Sequence, residues 1–255
     1  MKKILLTGAN GFLGRAIYAE LILKGYDVLC AVRRPFQVAD AKTVIISALE
    51  EQTDWAENLA GIDCVIHTAA RVHIANDTAQ NPYDEFHKVN VIGTLNLAQQ
   101  AAQCGVRRFI FISSIGVNGK QNTIPFLETD KPNPQDPYAI SKYEAEQKLL
   151  TLAKNIGLQI VIIRPPLVYG DNAPGNFGSL VRWVSRGVPL PLGAVSNKRS
   201  FVALDNLVSF IAHCISHPKA ANELFLISDG EDVSTTELLK RTANAFGIRP
   251  LLIPV

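Results

Sequence analysis

Two short runs constrain this chain most. Cys64-Val-Ile-His-Thr-Ala-Ala70 and Phe109-Ile-Phe-Ile-Ser-Ser114 are apolar on nearly every successive residue. A strand with one wet face alternates apolar and polar side chains, whereas a strand covered on both faces need not. The runs therefore predict interior strands of a parallel sheet held between helices. Further β-rich runs at 3–7, 27–33, 43–47, 159–164 and 224–228 extend the series to seven, the first two being strands over 63–69 and 108–113. Helical patterns fill the gaps, so the expected class is α/β, a doubly wound parallel sheet.

The helices carry their own stop signals. Leu13, Ile17 and Leu21 form an i, i+4 stripe that ends at Lys24-Gly25, and a pattern over 84–104 ends at Gly105. Glycine closes both because it enters the left-handed region without a Cβ clash. Ser234-Thr-Thr-Glu237 is a capping box for a last helix that Gly247 should close. Pro, Asn, Asp and Gly accumulate at 118–137 and 165–178, predicting two long loops of the kind that carry function. The chain finishes on the apolar run Arg249-Pro-Leu-Leu-Ile-Pro-Val255, and further structure is expected beyond it.

Gly8, Gly11 and Gly14 follow the first expected strand and open the first expected helix, near Phe12. In that context glycines let a pyrophosphate lie against backbone N–H groups at a helix N-terminus, where the helix dipole favours an anion. Gly8 would permit the tight turn, Gly11 the close approach and Gly14 the packing of helix on sheet. About twenty residues on, an NAD site usually offers an acid to the ribose, but the second strand ends in Val32-Arg33-Arg34-Pro35. A guanidinium suits a 2′-phosphate, which favours NADP with NAD still open. The same pair would also serve as a solvated basic turn.

Tyr138 and Lys142 stand four apart at the start of a helical pattern and so share one face. Ser113 and Ser114 close the buried strand 108–113 at its C-terminal end, where doubly wound sheets bind ligands. A phenol must fall about three units from a pKa near 10 to act as a base at neutral pH. Lys142 and an oxidised nicotinamide would both lower it, while the Ser114 hydroxyl would meet the substrate oxygen.

The motifs Thr7-Gly-Ala-Asn-Gly-Phe-Leu-Gly14, Asp63 to Ala70, Asn90-Val-Ile-Gly-Thr94, Ser113-Ser-Ile-Gly-Val-Asn-Gly119, Pro137-Tyr-Ala-Ile-Ser-Lys142 and Arg164-Pro-Pro-Leu-Val-Tyr-Gly170 follow one another in order. Together they resemble the extended short-chain dehydrogenase/reductases of the nucleotide-sugar epimerase/dehydratase family, over nearly the whole chain. The resemblance implies a Rossmann-type NAD(P)-binding domain over 1–165. A smaller C-terminal region over 166–255 would interleave substrate-binding segments with returning sheet elements. It implies Ser114, Tyr138 and Lys142 as the catalytic set. Gly8, Asn10, Gly11, Phe12, Leu13, Arg33, Arg34, Ala69, Ala70, Pro165 and Val168 would join Tyr138 and Lys142 at the cofactor. Asp63 and His67 would line its adenosine side, and Asn90 would be structural. Asn176 and Phe177 would touch the substrate and Arg199 its diphosphate, although a lone Arg on a strand is equally often surface charge. Asn118 stands where many relatives carry Tyr and would offer an amide to the sugar.

The same resemblance narrows the reaction. Its dehydratases carry an Asp-Glu pair after the serine motif, where this chain has Ile115 and Gly116, which can neither take nor give a proton. Two outcomes stay open, 4-epimerisation and NADPH-dependent 4-keto reduction, each acting at C4 of a UDP-hexose or UDP-N-acetylhexosamine for surface polysaccharide. A non-catalytic NADP-binding regulator is the alternative of another class, disfavoured because Ser114, Tyr138 and Lys142 are all present.

Charge and cysteine content exclude other classes. With 25 basic and 23 acidic side chains the net charge is +2, which gives no bulk field for nucleic acid or an anionic membrane. Ile4-Leu5-Leu6 is too short for a signal-peptide core, and no run approaches a membrane span. Cys30, Cys64, Cys104 and Cys214 lack ligand spacing, as expected of reduced thiols in a cytoplasmic protein. His213 and His217 end a helix before Pro218, so no metal site is expected. Apolar residues on more than one face of the patterns 84–104 and 138–156 suit a homodimer.

Overall fold

The computed structural model describes residues 1–36, 38, 40–72 and 81–254, with the backbone alone at Asn176. The first half runs β1 (Lys3–Thr7), α1 (Phe12–Leu23), β2 (Asp27–Val32), β3 (Lys42–Ile45), α2 (Ala56–Leu59), β4 (Cys64–His67), α3 (Pro82–Phe86), α4 (Thr94–Gln103) and β5 (Arg108–Ile112). The second half runs α5 (Pro137–Ile156), β6 (Gln159–Arg164), β7 (Leu167–Tyr169), α6 (Gly175–Ser185), β8 (Arg199–Ala203), α7 (Leu204–Cys214), β9 (Leu224–Leu226), β10 (Asp232–Val233) and α8 (Thr235–Ala245).

One compact unit comprises Met1–Pro165 and Val208–Ile227. Its seven-stranded sheet has the order β3-β2-β1-β4-β5-β6-β9, and every pairing is parallel. All seven expected strands are present, with ends moved by two residues or fewer. Ile4 to Leu6, Val65-Ile66, Phe109 to Phe111 and Ile160 to Ile163 are completely buried on consecutive residues, so both faces of the central strands are covered. At roughly 1.5–3 kcal/mol for each large apolar side chain, these strands supply much of the drive to fold. Strand order reverses between β1 and β4, and in such sheets the crevice beyond the carboxyl ends at that reversal receives the ligand.

The pattern 84–104 is three pieces rather than one helix, because a π-helical stretch, His87–Gly93, separates α3 from α4. Two close approaches coincide with this wider winding. A Cβ on Gly93 would lie 2.5 Å from the Leu49 carbonyl oxygen. Asn90, which is buried there, grips the backbone of Arg71 from both ends of its amide.

A second unit comprises Pro166–Leu207 and Ser228–Val255. It holds a three-stranded sheet of order β10-β8-β7, in which β7 and β8 are parallel and β8 and β10 antiparallel. Its core joins Val184 of α6 and Leu190 to Leu239 and Ala243 of α8. The Ser234 hydroxyl caps α8 by accepting from the Glu237 N–H. β7 falls inside the stretch 165–178 expected as a loop and β10 has only two residues, so neither was expected as a strand, whereas β8 is the strand on which Arg199 was placed.

Candidate active site

The turn between β1 and α1 lies at the carboxyl end of the sheet, beside the switch point. Gly8 has φ +74°, and a Cβ there would stand 2.6 Å from Thr68 Oγ1 and 2.8 Å from the Ala69 nitrogen. Only glycine fits. A Cβ on Gly14 would lie 2.2 Å from the Gly8 carbonyl oxygen, so α1 touches its own entry turn through that position. At Gly11 a Cβ would meet only the Gly8 oxygen, at 3.2 Å, and the other side of that residue is open. Gly11 is the N-cap of α1 and brings no capping side chain, which leaves the first-turn N–H groups for an anion.

Asn10, within this turn, donates from Nδ2 to the Arg34 carbonyl at 2.8 Å, while its buried Oδ1 has no hydrogen-bond partner. A buried acceptor without a donor costs about 1–3 kcal/mol, and a ligand hydroxyl would satisfy it. The open cradle, the uncapped helix and this acceptor fit the pyrophosphate and ribose of a dinucleotide. Arg33 and Arg34 stand exposed just beyond β2, and Ala69 and Ala70 follow β4 on the same edge.

Tyr138 and Lys142 lie one turn apart in α5, whose N-cap Asp136 accepts from the Ala139 N–H at 2.9 Å. Tyr138 is partly buried and meets Phe86 edge-on, with ring centres 6.2 Å apart. Burial, reinforced by Asp136, pushes its phenol up to about 12. Lys142 is buried with its ammonium 4.1 Å from the centre of the Phe111 ring, and burial pulls it down to about 7 against the opposing pull of Glu146. The protein's own groups thus move the phenol away from the three-unit fall that a base requires. Ser114 follows β5 and accepts from the Gly116 N–H at 3.1 Å, which leaves its O–H proton to donate elsewhere.

Beneath this set lies a buried polar network that the sequence did not disclose. Arg164, the last residue of β6, donates from Nε and Nη2 to the two carboxylate oxygens of Glu146 at 2.9 and 2.5 Å. Ser113 donates to Glu146 as well, and Arg164 Nη1 reaches Asn118 Oδ1 at 2.8 Å. All four residues are buried. A signal was available: Lys142 and Glu146 stand among Ala139, Ala145 and Leu149 on the buried stripe of α5, and Arg164 ends the apolar run Ile160 to Ile163. Asn118, named for the sugar, has its amide engaged here, since Nδ2 also donates to the Leu127 carbonyl at 3.1 Å.

Other named residues take varied places. His67 is completely buried, bonding Thr7 Oγ1 at 2.8 Å and Thr94 Oγ1 at 2.9 Å, and burial drives it down to about 3, so the ring is neutral. Asp63 requires a correction. It precedes β4 at the amino edge of the sheet and accepts from the Lys3 N–H at 2.8 Å, far from the carboxyl edge where an adenosine would sit. Pro165 ends the first unit, its carbonyl accepting from the Ile115 N–H at 3.0 Å. In the second unit Val168 lies in β7 and Arg199 is exposed at the start of β8. There the Phe177 ring on α6 packs 5.9 Å from that of Tyr169, and the Asn176 side chain lies outside what is described. Among the described residues no helix is long and apolar enough to cross a membrane, and no group of three His, Cys, Asp or Glu could hold a metal ion.

Comparison with known proteins extends over the same residues. The NAD dependent epimerase/dehydratase family matches residues 4–228. UDP-glucose 4-epimerase of Vibrio cholerae is 45% identical over the whole of this chain and 79% of its own length. The solved UDP-N-acetylglucosamine 4-epimerase of Bacillus cereus superposes with a TM-score of 0.87 at 25% identity, covering all of this chain and 85% of that one. MoeE5, solved in complex with UDP-glucose and NAD, gives 0.85 at 28% identity, covering 99% and 85%. The chain belongs to the NAD dependent epimerase/dehydratase family.

Proposed function

We propose that this enzyme is a nucleotide-sugar 4-epimerase, which removes a hydride from C4 of a UDP-hexose or UDP-N-acetylhexosamine and returns it to the other face. The observation that carries the reading is that Tyr138 and Lys142 lie one turn apart at the start of α5, against which the turn carrying Ser114 packs at Gly116 and Ala139, in the unit whose Gly8–Gly14 turn fits a dinucleotide. Ile115 and Gly116, in place of an acid pair, argue against dehydration.

Each side chain then has a defined task. Ser114 donates its hydroxyl proton toward the sugar oxygen at C4, and Tyr138 takes the proton that leaves that oxygen. Lys142, when protonated, places positive charge beside the phenol and favours the phenolate. A bound oxidised nicotinamide supplies the hydride acceptor and the further positive charge that the phenol needs. Phe177 and Arg199 are assigned to the nucleotide-sugar, and Asn176 with them.

A second reading, NADPH-dependent reduction of a 4-keto-sugar, is favoured by one observation. Arg33 and Arg34 are exposed immediately after β2, where an acid would serve NAD, and Arg34 is tied by its carbonyl to Asn10 in the glycine turn. Both readings suit a role in surface polysaccharide. Incubation with UDP-glucose and UDP-N-acetylglucosamine, their 4-keto forms, NAD and NADPH tests the pair. Interconversion of C4 isomers without net cofactor change supports the first reading, and net NADPH oxidation supports the second.

A further inference from the structure

The ends of two strands of the first unit meet on one carboxylate of α5. Glu146 lies one turn beyond Lys142 on α5 and is completely buried. It accepts from Ser113, the neighbour of Ser114 at the end of β5. It also accepts in a two-pronged bond from Arg164, the neighbour of Pro165 at the end of β6. Arg164 in turn holds Asn118, whose amide fixes the Leu127 carbonyl in the 118–137 loop. We infer that Glu146 is a positioning residue, whose carboxylate sets Ser114, Lys142 and the chain leaving β6 in one register. This inference rests on the reading above that Ser114, Tyr138 and Lys142 perform the hydride chemistry.

The physical reason lies in the geometry of a buried fork. A planar guanidinium bound through two nitrogens fixes direction as well as distance, and a misplacement near 1 Å in a reacting group costs roughly 100-fold in rate. A buried ion pair adds little net stability over an apolar pair of similar shape, so stability alone does not account for its presence. Groups from several elements of the unit surround Lys142. Glu146 shares its helix, Phe111 covers it from β5, neutral His67 approaches from β4, and Tyr138 lies one turn before it. Glu146 is thus the negative charge that sustains the ammonium, with Arg164 behind it.

Glu146→Gln keeps the shape and removes the charge. With NAD and UDP-glucose or UDP-N-acetylglucosamine as probes, we expect unchanged cofactor affinity and a kcat lower by roughly 100-fold. The Lys142 titration, followed by carbon-13 lysine NMR, should move to lower pH. A wild-type kcat with an unmoved Lys142 midpoint overturns the inference, and so does an equal loss of cofactor binding, which would mark general damage. If Glu146→Gln does not fold, Glu146→Leu with Arg164→Met removes both partners of the buried ion pair together, leaving neither uncompensated by the other, and should fold. It should bind cofactor and lose turnover; wild-type turnover there overturns the inference. Tyr138→Phe, assayed in parallel, separates the two levels. Full turnover in that variant removes the reading of the site and the inference with it, whereas an inactive Tyr138→Phe beside a fully active Glu146→Gln removes the inference alone.

Discussion

Lys142 holds its ammonium 4.1 Å from the centre of the Phe111 ring, so a side chain named for catalysis is seated on the face of a core aromatic. The ring quadrupole favours the charged amine, while burial opposes it. Phe111→Leu removes the first influence and keeps the second. The Lys142 midpoint should then fall below its value of about 7, read by lysine NMR. A midpoint that rises or stays would show that the ring does not sustain the charge.

The same lysine makes stability depend on pH. Its pKa is about 7 folded against 10.5 in the unfolded chain, so between those values the unfolded state binds more protons. Stability therefore rises with pH across that window, and below about 7 the full cost of the buried charge is present. Lys142→Met should flatten this rise in urea midpoints measured from neutral to alkaline pH. An unchanged slope would place the titration elsewhere.

Gly14→Ala puts a methyl 2.2 Å from the Gly8 carbonyl oxygen and 2.8 Å from Ala9 Cα, so the turn must move. Overpacking of this kind costs about 1–3 kcal/mol, and dinucleotide affinity should fall with it. Gly25→Ala is the control. That residue has φ +75° with open space around it, so only backbone strain of roughly 1–2 kcal/mol is expected, with cofactor affinity intact. Equal affinity losses in calorimetric titrations of the two variants would remove the glycine turn from the cofactor site.

Arg33→Ala with Arg34→Ala tests the cofactor preference. If the two guanidinium groups grip a 2′-phosphate, NADPH should weaken by roughly tenfold or more while NADH hardly changes. Parallel losses for both would identify a solvated basic turn.

The sheet was legible because burial on both faces leaves continuous apolar runs, as in Phe109 to Ile112. The glycine turn was legible because Gly8 and Gly14 stand where a Cβ would clash with backbone. Three things were hidden. β7 and β10 of the second unit are two or three residues long and lie among turn-forming residues, and the π-helical winding at His87–Gly93 answers to Leu49 and Arg71, both distant in sequence. The Glu146–Arg164 pair was hidden for a related reason: each charge finds its partner 18 residues away, across α5 and β6. Asp63 misled because a motif carries no record of which sheet edge its first residue occupies. It lies at the amino edge, bonded to Lys3.

The central claim is that Tyr138 exchanges a proton with the sugar while hydride leaves and returns at C4. The most direct measurement follows wild type and Tyr138→Phe on UDP-glucose and UDP-N-acetylglucosamine with added NAD, reading C4 stereochemistry by proton NMR alongside nicotinamide absorbance. The account predicts interconversion of C4 isomers by the wild type without net reduction of NAD, and a loss of roughly 100-fold or more in Tyr138→Phe with cofactor still bound. Near-normal interconversion by Tyr138→Phe, or a wild type that binds NAD and both sugars yet interconverts neither, would contradict it.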